Sequence, residues 1–240
     1  MRVVAIIQAR MGSTRLPGKV LKDLAGATVL ERVVSRVRGC RLVSDVVVAT
    51  SAEPADEVIL NECKRLGTEP FRGSEQDVLD RYYRAAQQAG AEVVVRITSD
   101  CPLIDPEVSD ETIQKFLVER PDYASNALER TYPRGLDTEV MTFAALECAW
   151  AEARQAYQRE HVTPFLYQHP ERFKLLSVKG DHDYSQYRWT LDTPEDLEFL
   201  RAVYARSIDH QDLSWRDVLN IVQREPELAE MNRHIVQKTI

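Results

Sequence analysis

The chain has 240 residues, 44% of them hydrophobic, enough for one large buried core, which predicts a single domain over 1–240. Its net charge of −7 argues against general nucleic-acid binding, because a duplex binder neutralises phosphates with a basic face. The longest apolar run near the start, Val3 to Ile7, is too short for a signal segment or a membrane span, so we expect a cytoplasmic location and no membrane contact.

The charge is unevenly placed: residues 1 to 41 carry nine Lys or Arg against two acidic residues, which suggests a small anionic ligand. The β-branched run Val3 to Ile7 predicts a buried strand. It empties into Gln8-Ala9-Arg10-Met11-Gly12-Ser13-Thr14-Arg15-Leu16-Pro17-Gly18-Lys19, which combines glycines, small hydroxyl residues and cations. Glycine permits close backbone approach, backbone N–H groups can cradle an anion, and Arg15 and Lys19 can neutralise a triphosphate. The loop is not GxxxxGK[ST], because Val20 follows Lys19, and it is not GxGxxG.

A helix starts at Thr28, where Thr28 and Glu31 have capping-box spacing, and it presents Val29, Leu30, Val33, Val34 and Val37 to a core. Arg32, Arg36, Arg38 and Arg41 read as its solvated face. Val46 to Ala49 predicts a second strand, Ala55 to Leu66 a helix stopped by Gly67, Asp77 to Ala89 another stopped by Gly90, and Val93 to Ile97 a third strand. This alternation predicts an α/β, Rossmann-like, mostly parallel sheet with helices on both faces and ligands beyond the C-terminal strand ends.

Asp105-Pro106 opens a helix through Glu119 that Pro121 ends. Shorter strands are expected at Tyr123 to Asn126, Asp137 to Met141, Lys174 to Val178 and Tyr187 to Leu191, extending the sheet alongside a lid or dimer-forming segment. Cys40, Cys63, Cys101 and Cys148, separated by 23, 38 and 47 residues, match neither metal-binding CxxC spacing nor a disulfide scaffold and read as free thiols. Asp181-His182-Asp183 has the DxD form of many glycosyltransferases, but its surroundings predict a loop rather than the end of a core strand.

Asp100 and Asp192 each follow a predicted strand and could converge on one Mg²⁺, an ion that prefers oxygen ligands and keeps waters shared with substrate phosphates. Tyr132, Arg134, Asp137 and Glu139 form a dense polar set around Pro133 and Gly135, in which an arginine fork suits a carboxylate or phosphate. Glu160 and His161 could orient an acceptor or lie at a subunit contact.

The segment Ile7-Gln8-Ala9-Arg10 through Arg15-Leu16-Pro17-Gly18-Lys19 resembles the nucleotide-binding signature of the sugar-acid cytidylyltransferases, which activate ketodeoxyoctulosonate and neuraminate. Phe71-Arg72-Gly73-Ser74 with Asp77 to Tyr82, Thr98 to Ile104, Tyr132 to Asp137, Arg159 to Pro164 and Arg188 to Asp196 are similar to the spore coat polysaccharide branch of that family. These motifs cover residues 1–206 and leave 207–240 unassigned. Gln8 stands where enzymes of known sugar-acid specificity usually have proline.

The resemblance implies the architecture of nucleotide-diphospho-sugar (GT-A-like) transferases, CTP and a sugar acid as substrates, a homodimer, and Mg²⁺ held by Asp100 and Asp192. It also implies nucleotide contacts from Gln8, Ala9, Arg10, Gly12, Ser13, Arg15, Lys19, Gly73, Ser74 and Asp77. The acceptor set would then be Tyr132, Arg134, Asp137, Glu139, Glu160 and His161. Two alternatives stay open: a glycosyltransferase that consumes a nucleotide sugar, and a non-catalytic nucleotide-binding partner.

Overall fold

The strand–helix alternation predicted from the sequence is present in the computed structural model, which describes residues 1–207, 210 and 213–237. In the first half, strands β1 (Val3–Gln8), β2 (Asp23–Leu24), β3 (Ala27–Thr28), β4 (Asp45–Ser51), β5 (Glu69–Gly73) and β6 (Val93–Thr98) alternate with helices α1 (Val29–Arg38), α2 (Glu57–Leu66) and α3 (Val78–Gln88). The second half holds α4 (Pro106–Glu119), β7 (Tyr123–Ser125), β8 (Glu139–Thr142), α5 (Phe143–Glu152), α6 (Ala156–His161), α7 (Pro164–Tyr167), β9 (Leu175–Ser177), α8 (Pro194–Arg206), α9 (Trp215–Arg224) and α10 (Pro226–Glu230).

Seven strands form one sheet in the order β5-β4-β1-β6-β8-β7-β9, and β2 pairs with β3 in a small separate hairpin. The four strands from β5 to β6 are mutually parallel, so their C-terminal ends open on one edge. β8 runs antiparallel to both β6 and β7, while β9 is parallel to β7.

Alternation along β1 assigns the two faces. Val4 and Ile6 pack with Leu79, Tyr82 and Ala86 of α3 and with Ala145, Leu146 and Ala149 of α5. Val3, Ala5 and Ile7 pack with Leu30, Val33 and Val34 of α1, Ile59 of α2 and Ile113 of α4. Period two in the strand and 3.6 in the helices places these side chains without further help. The Tyr82 hydroxyl donates to the carbonyls of Ile6 and Ile97, tying α3 to β1 and β6 just under the strand ends.

Helix boundaries follow local chemistry. The Thr28 hydroxyl accepts from Glu31 N, and Asp105 accepts from Glu107 N and Val108 N ahead of Pro106. Gly67 closes α2 at φ +56°. Glu31 does not reach back to complete a capping box; its carboxylate meets Arg65 on α2.

Two expectations need correction. Of the four α1-region arginines, Arg38 and Arg41 are exposed as expected, but Arg36 is 6% exposed and donates to the carbonyls of Ile104 and Leu213. The half-buried Arg32 binds the carbonyls of Leu24 and Ala25, and the exposed Arg38 binds those of Leu66 and Gly67, so both also fasten loops.

Residues 187–191 are not a strand. Arg134 N donates to Tyr187 O and Trp189 N to Arg134 O, giving one bridge, but Leu191 N then turns to Asp100 O. A partner change after two bonds leaves no ladder, although the segment is buried like a core strand. The tail that the sequence left unassigned is part of the fold: Trp215, Val218, Leu219, Val222 and Leu228 join Trp189, Leu191, Leu200, Val203 and Tyr204 in a third apolar cluster beside the hairpin. Among the described residues, no helix is long and apolar enough to cross a membrane, and all four cysteines are free.

Candidate active site

The loop after β1 is held down by its own backbone. Ser13 N and Gly18 N both donate to Met11 O, and Gly18 turns at φ +67°, a conformation glycine adopts without a Cβ clash. From below, the buried Asp56 accepts from Met11 N and also from the Ser51 and Thr50 hydroxyls and Ser51 N. Nothing local in the sequence marks this anchor, because Asp56 lies at the start of a helix, where an acid is common.

Gly18 delivers Lys19 to the strand ends, where its ammonium donates to Asp100 Oδ2 at 2.8 Å, Asp192 Oδ1 at 2.9 Å and Leu191 O at 2.7 Å. Arg15 lies 3.0 Å from the same Asp192 oxygen. Two carboxylates 92 positions apart in the chain thus meet on one cation. The backbone enforces this: Leu191 N and the Thr190 hydroxyl both donate to Asp100 O.

Burial pushes the Asp100 carboxyl up, but the Lys19 charge and hydrogen bond and the Thr98 hydroxyl outweigh it and hold it at about 2. Burial likewise pulls Lys19 down, and Asp100 and Asp192 more than reverse it, leaving the ammonium above its ordinary value. The site therefore sets the Asp100 and Asp192 carboxylates against the Lys19 ammonium and the Arg15 guanidinium. As hard oxygen donors within reach of a common point, Asp100 Oδ2 and Asp192 Oδ1 fit a divalent cation that keeps water and phosphate for its other positions. No larger group of metal-binding side chains occurs among the described residues.

On the other side of the loop, β5 ends at Gly73 and Ser74. A Cβ on Gly12 would meet Glu75 Oε1 at 3.1 Å, so the 73–77 turn lies against the phosphate loop. Arg81, 1% exposed, runs under Gly73 and donates to Ser74 O. Asp77 does not face a nucleotide freely: it caps α3 and its carboxylate is gripped by Arg159 at 2.6 to 3.1 Å.

The acceptor set separates in the same way. Tyr132 is buried, donates to Glu111 and meets Trp215 edge-on, which makes it a packing residue. Asp137 forms a bidentate pair with Arg130. Glu139 receives Arg96, the Tyr123 hydroxyl and the Thr163 hydroxyl, and Arg96 also donates to Gln8 Oε1, so Glu139 and Gln8 belong to one buried network.

Arg134 is different. Its backbone is paired with residues 187 and 189, yet among the described residues its guanidinium has no hydrogen bond or ion pair. Burial lowers its pKa, the neighbouring Arg130 and Arg188 lower it further, and Asp137 opposes them. Glu160 is exposed and His161 half-buried, the latter depressed by burial with Glu160 and Arg96 acting in opposite directions. His161 precedes Val162, whose φ of +73° sets a tight turn closed by Thr163 N on His161 O. Asp181-His182-Asp183 lies in an exposed loop, as expected.

A model of the family described as cytidylyltransferase matches residues 4–221. The chain belongs to the cytidylyltransferase family. This cytidylyltransferase is a nucleotidyltransferase, which sets aside the glycosyltransferase and non-catalytic alternatives, and the match runs beyond the last recognised sequence motif into α9. It is 34% identical to the spore coat polysaccharide biosynthesis protein SpsF of Bacillus subtilis (strain 168), over 95% of this chain and 96% of that one. It is 40% identical to a 3-deoxy-manno-octulosonate cytidylyltransferase of Geobacter sulfurreducens, over 50% of this chain and 47% of that one. A solved cytidylyltransferase from Leptospira borgpetersenii serovar Hardjo-bovis superposes with a TM-score of 0.92 at 34% identity, covering 100% of both chains.

Two site residues that the sequence did not single out stand behind Asp192. Arg188 donates to Asp192 Oδ2 at 3.0 Å and to both oxygens of Asp196, and Asp196 Oδ2 accepts from Asp192 N. The Thr193–Asp196 capping-box spacing was a signal that could have located Asp196.

Proposed function

We propose that this cytidylyltransferase joins CTP to an acidic sugar with release of pyrophosphate, in the cytoplasm and as a homodimer, using Mg²⁺ at Asp100 and Asp192. The observation that carries the chemistry is the convergence of Arg15, Lys19, Asp100 and Asp192 at the open strand ends. The unneutralised Arg134 supports the acidic acceptor, because a half-buried guanidinium beside two other arginines favours a bound carboxylate. The likeness to a 3-deoxy-manno-octulosonate cytidylyltransferase points the same way.

In this reading the triphosphate lies on the loop from Arg10 to Lys19, with Ala9, Gly12 and Ser13 offering backbone approach and the base beside Gly73 and Ser74. A divalent cation, when bound by Asp100 and Asp192, supplies charge neutralisation at the phosphates. Lys19 then exchanges a carboxylate contact for phosphate oxygens, and Arg15 does likewise. The acceptor hydroxyl releases its proton to solvent as its oxygen attacks the α-phosphorus in line and the bond to the β-phosphate oxygen breaks, and Arg15 and Lys19 balance the charge that gathers on pyrophosphate. Arg134 orients the acceptor through its anionic group, and His161 and Glu160 are further candidates for acceptor contact.

A pyrophosphate-release screen of the four nucleoside triphosphates against sugar acids, neutral sugars and sugar phosphates, with Mg²⁺, tests this. Release is expected with CTP and a sugar acid. Turnover confined to neutral acceptors would overturn the acceptor assignment, and turnover confined to another triphosphate the nucleotide assignment.

A further inference from the structure

The C-terminal segment reaches the site from behind. Asn232, 1% exposed, donates through Nδ2 to Arg188 O and to Asp196 Oδ1, each at 2.9 Å. Gln237 Oε1 accepts from Arg188 Nη1 at 2.6 Å. Arg188 spends its remaining donors on Asp196 and on Asp192 Oδ2, which leaves Asp192 Oδ1 facing Lys19 and Arg15. One oxygen of Asp192 is thus clamped and the other presented.

We propose that Asn232 is a positioning residue for Asp192: by fixing the Arg188–Asp196 pair, the tail selects the rotamer in which Asp192 offers Oδ1 to the site. This rests on the reading of Asp192 as a metal ligand. The physical reason is competition. Asp196 is fully buried, and among the described residues its carboxylate oxygens are met by Arg188, by the N–H groups of Asp192 and Thr193, and by Asn232. Without the Asn232 donors, Arg188 can turn towards Asp196 alone, and Asp192 loses the contact that holds Oδ2 away from the site. Partners behind a metal-binding carboxylate set its orientation, and removing one typically costs about 10- to 100-fold in metal affinity or activity. Because 207–240 lacks the family's sequence motifs, nothing in the primary structure connects it with the aspartate.

The test uses the full chain with CTP and no acceptor, so that no turnover occurs, and follows Mn²⁺ binding by electron paramagnetic resonance. Asn232→Leu, close in size and unable to donate, should weaken Mn²⁺ binding about tenfold. Its affinity for CTP in EDTA should match wild type. Unchanged Mn²⁺ affinity in folded Asn232→Leu would overturn the proposal. Should that variant not fold, Gln237→Ala decides: removal of its single bond to Arg188 should cost about threefold in Mn²⁺ affinity, and no loss would overturn the proposal. Asp192→Asn in the same assay separates the two layers. Mn²⁺ affinity that survives it overturns the metal reading itself, whereas loss in Asp192→Asn with none in Asn232→Leu overturns only the positioning.

Discussion

Lys19 spans the two aspartates because two neighbouring carboxylates, Asp192 buried and Asp100 partly so, need a counter-charge, and an ammonium on a flexible stem can supply it. This arrangement has a pH consequence. Asp100 sits at about 2 in the folded chain against an ordinary 3.8, so its stabilising contribution is complete above the ordinary value and is lost as pH falls towards 2. Urea unfolding of the substrate-free protein should show wild type losing stability faster than Asp100→Asn as pH falls from about 5 to about 2. Parallel curves would show the Lys19 contact to be weak in solution. Asp100→Asn and Asp192→Asn should each fold and lose nearly all pyrophosphate release, since each removes an anionic ligand rather than core packing. Arg134→Lys retains charge but not the planar fork, so the acceptor KM should rise while CTP affinity and Tm stay close to wild type. Early melting with an unchanged acceptor KM would make Arg134 a structural residue instead.

At the scale of elements, the loop after β1 owes its shape to a buried acid beneath it. Asp56 precedes α2, and its carboxylate binds the loop at Met11 N and the end of β4 at Ser51. Asp56→Ala strips partners from several buried donors at once, and each unsatisfied group costs about 1 to 3 kcal/mol. We expect a loss of about 3 kcal/mol or more in unfolding free energy, together with weaker CTP binding. Equilibrium denaturation and calorimetry check both, and a variant with wild-type stability would show that water replaces the carboxylate. Gly135 marks a second junction: at φ +111°, a Cβ there would meet the Trp189 backbone at 2.7 Å. Gly135→Ala should push residues 188–190 away from Arg134 and reduce turnover as well as Tm.

The whole molecule brings three apolar clusters together, two from the sheet faces and one from the C-terminal helices. The third makes the tail part of the fold. Leu200, Val203 and Tyr204 on α8 would lie bare without α9, and Asp105 would lose the N–H of Trp215. Truncation after Ser207 should therefore give an aggregating or molten product by light scattering and near-ultraviolet dichroism. A soluble, cooperatively melting fragment would contradict that placement. Trp215→Ala is the milder version, with about 3 to 5 kcal/mol expected from denaturant titration.

By itself the sequence determined three of the four parallel strands, β1, β4 and β6, the helices on the two faces of the sheet, the caps at Thr28 and Asp105, and the composition of the loop after β1, while the edge strand β5, short and carrying Pro70 and Gly73, gave no β-branched run to read. These rest on periodicity, capping and glycine placement, which act within a dozen residues. The single bridge at Arg134 and Arg188 could not be told from a strand, because burial looks the same whether a segment pairs along a ladder or crosses between loops. The pairing of polar groups was likewise beyond local reading. Tyr132, Asp137 and Glu139 share a stretch with Arg134, and only their pairing with Glu111, Arg130 and Arg96 in space shows that three are occupied while, among the described residues, the Arg134 guanidinium has no partner. Tertiary structure alone brought Asp192 to Asp100 and Asn232 to Arg188 and Asp196, since those contacts are set by the packing of α8, α9 and α10 beside the β2–β3 hairpin, and side-chain chemistry has no means of announcing its distant partner.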